Sequence, residues 1–230
     1  MIPVEQRKIS KEEPQMQGLI VDWGGVLTMP IHTAIGRWLT ATGIDHDHYG
    51  AVVRRWVQPL PGESSPVHQL ERGELALEDF EHLLSAALAR EGSLVEARGL
   101  VSRMFADLAI YEDTMTSLVT RARSAGVRTA LLSNSWGNEY DRSDWQEMFD
   151  AVVISGEVGM RKPEPGIFEL ALRRIGLLAG ECVFIDDMAH NVDAAQQAGL
   201  AGIVHRTFDE TAAELEVLFP GASWIHQRLH

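Results

Sequence analysis

Cysteine and long apolar runs are scarce in this sequence, and each scarcity excludes a class of protein. Among 230 residues there is one cysteine, Cys182, which excludes an internal disulfide and fits the reducing cytoplasm, where we expect the protein to act. No apolar run reaches the roughly 20 residues that a transmembrane helix needs. The polar N-terminus lacks the apolar segment of a secretion signal. We therefore expect no membrane insertion.

Positive charge is the next scarcity. The chain has 20 basic against 33 acidic residues and a formal net charge of −13, which argues against nucleic acid or an anionic membrane as a partner. A phosphorylated substrate would have to be bound by local positive charge or by a metal ion. Only three of the basic residues are lysines, and the one outside the N-terminal region, Lys162, lies in the loop sequence GMRKPEPG.

Short apolar runs rich in β-branched residues predict five buried strands, at 18–23, 127–133, 151–155, 181–186 and 201–206. Helical periodicity separates most of these runs, and two of the helical patterns stop at Gly126 and Gly176. Strands that alternate with helices indicate an α/β fold, a Rossmann-like three-layer arrangement with helices on both faces of a parallel sheet.

A long helical segment separates the first strand from the others. Phe80 and Leu84 belong to one apolar face within it, and Ser93–Glu96 fits a capping box for a following helix. An insertion of this size predicts a second lobe. We divide the chain into a flexible tail (1–17), a core domain (18–30 and 108–230) and a helical cap (31–107).

The carboxyl ends of the predicted strands hold a concentration of polar residues, at the edge where an open parallel sheet binds its ligands. Asp22 ends the first strand, and Ser133 and Asn134 end the second. The remaining members are Lys162 in the loop beyond the third strand, and Asp186, Asp187 and Asn191 at and after the fourth.

Three carboxylates that meet in one cleft would repel each other and raise each other's pKa. A divalent cation removes this cost, and oxygen ligands favour Mg²⁺. A hydroxyl, an amide and an ammonium group nearby would bind the oxygens of a phosphate. Asp22 would then be a nucleophile that forms an aspartyl-phosphate.

Each of these residues also has a purely structural interpretation. Asp22 is compatible with a turn, Ser133 and Asn134 with a turn or a helix cap, Lys162 with a solvated loop, and the pair Asp186–Asp187 with an N-cap. Their occurrence together, each at a strand end, favours a functional site.

Four segments carry a resemblance to a known family: VDWGGVLT (21–28), LLSNS (131–135), GMRKPEP (159–165) and IDDMAHN (185–191). In this order they resemble the motifs of the haloacid dehalogenase-like superfamily of aspartate-nucleophile hydrolases. More narrowly, VGMRKPEPGIF and LLSNSW look like the N-terminal phosphatase domain of soluble epoxide hydrolases and its stand-alone bacterial relatives. The helical insertion, with its ERGE at 71–74, is similar to the caps of those domains.

The resemblance implies roles in catalysis and metal binding. Asp22 would be the nucleophile, and Lys162 would hold the transferring phosphoryl group. Asp22, Asp187 and the backbone carbonyl of Gly24 would ligate Mg²⁺. Asp186 would support the metal, and we assign it to the metal site.

The resemblance also implies roles in binding the substrate, a small phosphorylated metabolite. Ser133 would bind the phosphoryl group beside Lys162, and Asn134 would line the site. We assign Gly25 to the same phosphate-binding set. Trp136, just beyond this motif, is the tryptophan that we expect to touch the substrate. Asn191 would support the loop.

Gly24 departs from the family pattern. Family members usually have there a second aspartate, which protonates the leaving group and then activates the water that cleaves the aspartyl-phosphate. Such a group typically contributes roughly 10²–10⁴ in rate. Three outcomes stay open: a substrate with a good leaving group, replacement of the aspartate by a cap histidine or a substrate hydroxyl, or binding of a phosphorylated ligand without efficient turnover.

The sequence therefore predicts a Mg²⁺-dependent hydrolase of the phosphatase type. The alternatives are a catalytically weak binding or regulatory protein and, with less support, a dehalogenase-type hydrolase, which would not need the acidic pair Asp186–Asp187. The sequence sets no oligomeric state. We interpret the run Asp45-His46-Asp47-His48 as an exposed loop of the cap rather than a metal site.

Overall fold

The computed structural model of the protein describes residues 15–58, 64–108, 111–137 and 140–226. The five apolar runs form one parallel sheet with the order β3-β2-β1-β4-β5. Its strands are β1 (Gly18–Val21), β2 (Arg128–Ser133), β3 (Ala151–Ile154), β4 (Cys182–Asp186) and β5 (Ala201–Val204). The central strand is β1, and its Leu19 lies opposite Thr129 of β2 and Val183 of β4.

Helices cover both faces of this sheet. On one face, α6 (Asp113–Ser124) packs on β2 and α11 (Phe208–Leu218) packs on β5; on the other, α9 (Pro165–Ile175) and α10 (Ala189–Gln197) cover β3, β2, β4 and β5. Alternate residues of β1 enter two separate apolar cores, because successive strand side chains point to opposite faces. The three-layer α/β class is confirmed.

In the described residues between β1 and α6 the chain forms five helices: α1 (Ile31–Thr42), α2 (His46–Val57), α3 (Pro66–Glu71), α4 (Leu77–Glu91) and α5 (Leu100–Leu108). The two ends of this segment are joined, because Thr28 and Tyr111 form an antiparallel bridge. The amide of Glu112 also donates to the carbonyl of Leu27, 2.8 Å away. The buried side chains of the five helices form one continuous apolar cluster with the α6 and α11 face of the sheet.

Two details of this helical segment differ from the sequence prediction. Ser93 caps no helix, since its hydroxyl bonds the amide of Asp45 and the imidazole of His48 at 3.1 and 2.9 Å. The start of α5 is instead stabilised by the buried carboxylate of Glu81, which accepts from the amides of Gly99 and Val101.

The run 45–48 is exposed for its first three residues, but it is not a loop. Asp45 is the N-cap of α2, and its side chain accepts hydrogen bonds from the amides of Asp47 and His48. An aspartate in this position satisfies amides that the first turn of a helix leaves free. The interpretation of this run as a loop overlooked that capping signal.

The remaining elements are short: α7 (Trp145–Met148), α8 (Ser155–Val158) and two 3₁₀ turns (Ala179–Glu181 and Ser223–Ile225). Most of the predicted tail lies outside the described residues, and its last residue, Gln17, already hydrogen-bonds to Glu181 and Arg128 beside the sheet. Of the helices that the structure describes, none combines the length and apolar character needed to cross a membrane.

Candidate active site

Lys162 is the centre of a buried charge cluster at the carboxyl edge of the sheet. Its Nζ lies 2.8 Å from Oδ1 of Asp22 and 2.6 Å from Oδ2 of Asp186, and its side chain is fully buried. Burial lowers the pKa of Lys162, but the charges of Asp186 and Asp22 raise it more, so that its pKa lies above the usual value. Lys162 therefore remains positively charged between the carboxylates at the ends of β1 and β4.

Asp22 follows β1 directly and is 7% exposed. Burial, and then the charges of Asp186 and Asp187, raise its pKa to about 8 although Lys162 acts in the opposite direction. Its Oδ1 accepts from the amide of Trp23 at 2.7 Å as well as from Lys162. Oδ2 has no hydrogen-bond donor among the described residues, so this oxygen is free to meet a ligand.

Three carboxylates converge beside Lys162. Asp22, Asp186 and Asp187 each place one oxygen so that all three atoms lie within 4.8 Å of one another. Burial, and then Asp186, raise the pKa of Asp187 to about 6. In the described part of the chain, the buried Oδ1 atoms of Asp187 and Asn191 have no hydrogen-bond partner. An orphaned carboxylate oxygen in an all-oxygen cluster fits a divalent cation such as Mg²⁺.

Asp186 has a different environment from its two neighbours. Its oxygens accept from Lys162, from the amide of Met188 at 2.8 Å and from the amide group of Asn191 at 3.1 and 3.2 Å. Because these donors already occupy it, Asp186 is better suited to orient Lys162 and the following loop than to ligate a metal directly.

The two glycines of the loop after Asp22 differ in the room that they leave for a side chain. Gly25 has a φ of +74°, and a Cβ there would lie 2.4 Å from Oδ2 of Asp187. Gly24 is less restricted, since a Cβ at this position would meet Cδ1 of Ile31 at 3.1 Å and its φ is not left-handed. A side chain can therefore be introduced at Gly24 but not at Gly25.

Asn134 holds the backbone on which Lys162 sits. Its side chain donates to the carbonyl of Lys162 at 3.0 Å and accepts from the amide of the same residue at 2.8 Å. Ser133, at the end of β2, is buried and shares a hydrogen bond of 3.0 Å with the hydroxyl of Tyr140. The ring of Tyr140 packs edge-on against Trp23, 5.0 Å between centroids.

A cavity of about 250 Å³ opens over this cluster. Asp22, Gly24, Asn134, Lys162 and Asp187 line its base. Its wall is largely apolar and comes from the inserted helices and the loops facing them, through Ile31, Ile35, Val57, Val67, Met104, Trp136 and Met188. An organic group bound to a phosphate at the base would lie against this apolar wall.

Polar contacts join α3 to the loop that carries Lys162. Glu71, buried in the cavity wall, pairs with Nε of Arg161 and accepts from Nε1 of Trp136 at 3.3 Å. The next residue, Arg72, pairs with Glu164 at 2.7 Å. The wall and the base of the cavity are thus linked by charged side chains.

The sequence model of one protein family, described as haloacid dehalogenase-like hydrolase, matches residues 16–199, which include the whole cluster. The chain belongs to the haloacid dehalogenase-like hydrolases.

Relatives of this hydrolase include two proteins whose names describe activities. It is 30% identical to the sesquiterpene phosphatase astK of Aspergillus oryzae over 59% of the chain and 69% of that relative. It is 24% identical to the bifunctional epoxide hydrolase 2 of Mus musculus over 85% of the chain and 37% of that relative. The chain spans only 19% to 37% of the length of four of the curated relatives it matches.

Solved structures share the fold of this hydrolase. A HAD family enzyme from Bacteroides thetaiotaomicron, in complex with magnesium and inorganic phosphate, superimposes with a TM-score of 0.61 at 21% identity. The match covers 83% of the chain and 94% of that enzyme. At this identity the likeness shows the fold alone.

Most of the residues proposed from the sequence meet in this hydrolase. Asp22, Gly24, Asn134, Lys162, Asp187, Asn191 and Trp136 all line the cavity. Gly25 does not line the cavity. Its amide donates to Oγ1 of Thr28 at 3.2 Å, so this amide is already engaged and is not free to bind a phosphate. Ser133 also lies outside the lining and reaches it through Tyr140.

Besides the apolar wall, the site contains polar residues that were not found from the sequence, among them Tyr140, Glu71 and Arg161. Arg161 precedes the lysine in the loop motif, and Glu71 begins the ERGE stretch, so each stood inside a segment that already carried the resemblance. Only the folded chain shows that the two residues are paired.

Proposed function

We propose that the protein is a Mg²⁺-dependent phosphatase that hydrolyses a small phosphorylated metabolite through an aspartyl-phosphate on Asp22. The observation that carries the proposal is the buried Lys162, held between Asp22 and Asp186 at the base of a cavity. A permanent cation beside a free carboxylate oxygen can bind the phosphoryl oxygens of an ester.

Asp22, Asp187 and the carbonyl of Gly24 would hold Mg²⁺, which when bound would neutralise the charge between the carboxylates and the phosphoryl oxygens. Oδ2 of Asp22 attacks phosphorus, the P–O bond to the leaving group breaks, and the leaving oxygen departs with the electron pair. Water then attacks the phosphorus of the aspartyl-phosphate, releases inorganic phosphate and returns Asp22 as a carboxylate. Lys162 balances the charge of Asp22 throughout.

Gly24 limits which esters can react efficiently. No carboxylate at this position can protonate the leaving oxygen, so a leaving group that is stable as an anion is favoured. The apolar wall supports a substrate with an apolar organic part, and the name of the relative astK agrees with such a substrate.

The five inserted helices would act as a cap over the site. This proposal is supported by the bridge between Thr28 and Tyr111, which brings the two ends of the segment together. It is also supported by the cavity itself, whose wall comes largely from α1, α2, α3 and α5. Opening at the bridge would admit substrate, and closure would exclude water.

The test is release of phosphate from a panel of acyl, aryl and alkyl phosphates, with and without Mg²⁺. Asp22→Asn is the blank, and Asp193→Asn, an exposed aspartate on α10, is the matched control. We expect metal-dependent release by the wild type and by Asp193→Asn, and none by Asp22→Asn. Release that is independent of both Asp22 and Mg²⁺ would contradict the proposal.

A second candidate function is favoured by Gly24 alone: binding of a phosphorylated ligand without efficient turnover. It would be identified by Mg²⁺-dependent binding of panel members that lose no phosphate in the same solution. Lys162→Met should then abolish the binding.

A further inference from the structure

Arg161 has unused hydrogen-bonding capacity in the cavity wall. A guanidinium group carries five N–H donors, and in Arg161 only Nε is engaged, by the carboxylate of Glu71. Nη1 and Nη2 find no acceptor among the described residues. The side chain is only 14% exposed, and neither nitrogen belongs to the fully buried polar atoms that lack a partner. The two nitrogens are therefore not fully buried, and Arg161 is one of the residues that line the cavity.

The cavity that Arg161 lines is largely apolar. Val67 and Trp136 line it as well, and Lys162 at its base pairs with Asp22 and Asp186. His68 lines the cavity too, and burial, and then the charge of Arg161, lower its pKa. A partly buried guanidinium whose donors stay unmatched is costly, and a ligand atom that accepts them would remove that cost.

The local charge decides what kind of acceptor fits. Arg161 is neutralised by Glu71, and Arg72 pairs with both Glu164 and Glu74. Three carboxylates therefore surround two guanidinium groups, and an additional anion would meet a net negative charge. A neutral acceptor can use the free N–H groups without this repulsion.

We infer that Arg161 is a specificity-determining residue: its Nη groups bind a neutral oxygen acceptor, a hydroxyl or a carbonyl, on the organic part of the phosphorylated substrate. The inference rests on the proposed function, because the phosphate must occupy the base of the cavity for the organic part to reach Arg161. The substrate class is then an ester with an apolar body and one uncharged oxygen away from the phosphate.

Binding of unreactive phosphonates tests this inference apart from turnover. The probes are alkylphosphonates of two to four carbons, the matching compounds with a terminal hydroxyl, and 3-phosphonopropionate, each titrated calorimetrically in Mg²⁺. One hydrogen bond to a charged donor is worth roughly a tenfold change in Kd. We expect the best hydroxyl compound to bind about tenfold more tightly than its alkyl match, and the carboxylate to bind no more tightly than the hydroxyl compound.

Two lysine variants separate recognition from structure. Arg161→Lys keeps a cation for Glu71 but removes the Nη groups. In this variant the alkylphosphonate and its hydroxyl match should therefore bind with about the same Kd, and the alkylphosphonate Kd should stay within about twofold of the wild-type value. Arg72→Lys makes the same change in a neighbouring ion pair outside the cavity lining, and it should keep the wild-type ratio.

The outcomes are distinguishable. If alkylphosphonates bind to the wild type but a hydroxyl gives no gain at any chain length, Arg161 has no such role. The same conclusion follows if Arg161→Lys keeps the gain or Arg72→Lys loses it. If no phosphonate binds in Mg²⁺, or if binding is unchanged in Lys162→Met, the assignment of the phosphate site is wrong. That result would contradict both the proposed function and the inference.

Discussion

Gly24 lines the cavity two residues after Asp22, and its backbone can accept a side chain. A Cβ there would lie 3.1 Å from Cδ1 of Ile31, a contact that a small movement of this flexible side chain relieves. We predict that Gly24→Asp restores a general acid and raises kcat/KM for alkyl phosphates by roughly tenfold or more. Aryl phosphates should gain less, because their leaving groups need little protonation. Steady-state phosphate release with both ester classes measures the two gains.

Gly24→Ala is the control for this prediction, since it adds the Cβ without the carboxyl group. It should change kcat/KM for both ester classes by a similar small factor. Equal gains on alkyl and aryl esters in Gly24→Asp, or no gain on either, would show that protonation of the leaving group does not limit the reaction.

The raised pKa of Asp22 makes stability depend on pH in metal-free buffer. In the folded protein its carboxyl group stays protonated up to about pH 8, whereas its ordinary value is 3.8. Because the folded pKa is the higher one, this contribution is complete at low pH and is lost as the pH rises toward 8. We predict that the free energy of unfolding falls between pH 6.5 and 8 in EDTA, as measured with urea.

The same titration in Asp22→Asn should show a smaller fall over this interval. Asp187, with a pKa of about 6, acts mainly below it. Asp193→Asn, which alters an exposed aspartate, should follow the wild type. A fall that is equally steep in all three proteins would assign the pH dependence to other groups.

At the scale of secondary-structure elements, strands were easier to predict than helix starts. Most residues of the strands are apolar, and those of β1 and β4 are buried throughout, so the pattern is visible in each short segment alone. The start of α5 depends on Glu81, which is 20 residues before Val101. A capping partner that distant leaves no local pattern, so the capping box expected at Ser93–Glu96 was wrong.

Gly73 fixes how closely α3 approaches α8. Its φ is +70°, and a Cβ there would lie 2.4 Å from the carbonyl oxygen of Gly156. Gly43 has the same φ of +70°, but a Cβ at that position would have no atom within 4 Å. Alanine at Gly43 adds only left-handed strain, about 1 kcal/mol. Alanine at Gly73 must also push two backbones apart, for a total of about 3 kcal/mol.

Urea unfolding of Gly73→Ala and Gly43→Ala measures this difference. We expect the first to be less stable than the second by about 2 kcal/mol, a loss in the range of steric overpacking. Equal losses would mean that α3 can shift away from α8 without cost. The position of the cavity wall would then not depend on this contact.

At the scale of the whole molecule, the site unites residues that are far apart in the sequence. Glu71 and Arg161 are separated by 90 positions, and Trp136 joins them from a third segment. The edge of the sheet where Asp22, Lys162 and Asp187 meet follows from the parallel topology and could be predicted. The pairing of a particular side chain of the inserted helices with a particular loop of the sheet could not be predicted, because neither segment alone specifies it.

If the inserted helices open as a unit, a ligand should protect their amides selectively. With Mg²⁺ and inorganic phosphate at ten times its Kd, amides that exchange only through opening should slow about tenfold. We predict this protection in α3 and at Thr28 and Tyr111, with little change in α11, by hydrogen exchange and mass spectrometry. Uniform protection, or none, would argue that the helices do not move relative to the sheet.

The central position of β1 has a consequence for synthesis of the chain. This strand leaves the ribosome before its partners, because Thr129 and Val183 belong to segments that are made much later. Until both neighbours have emerged, Leu19, Ile20 and Val21 expose an apolar strand with two open edges. The inserted helices are made directly after β1 and share an apolar cluster with Leu19 and Val21, so they can cover one face of the strand before β2 and β4 emerge. They would then protect this strand from aggregation while the rest of the chain is still being made.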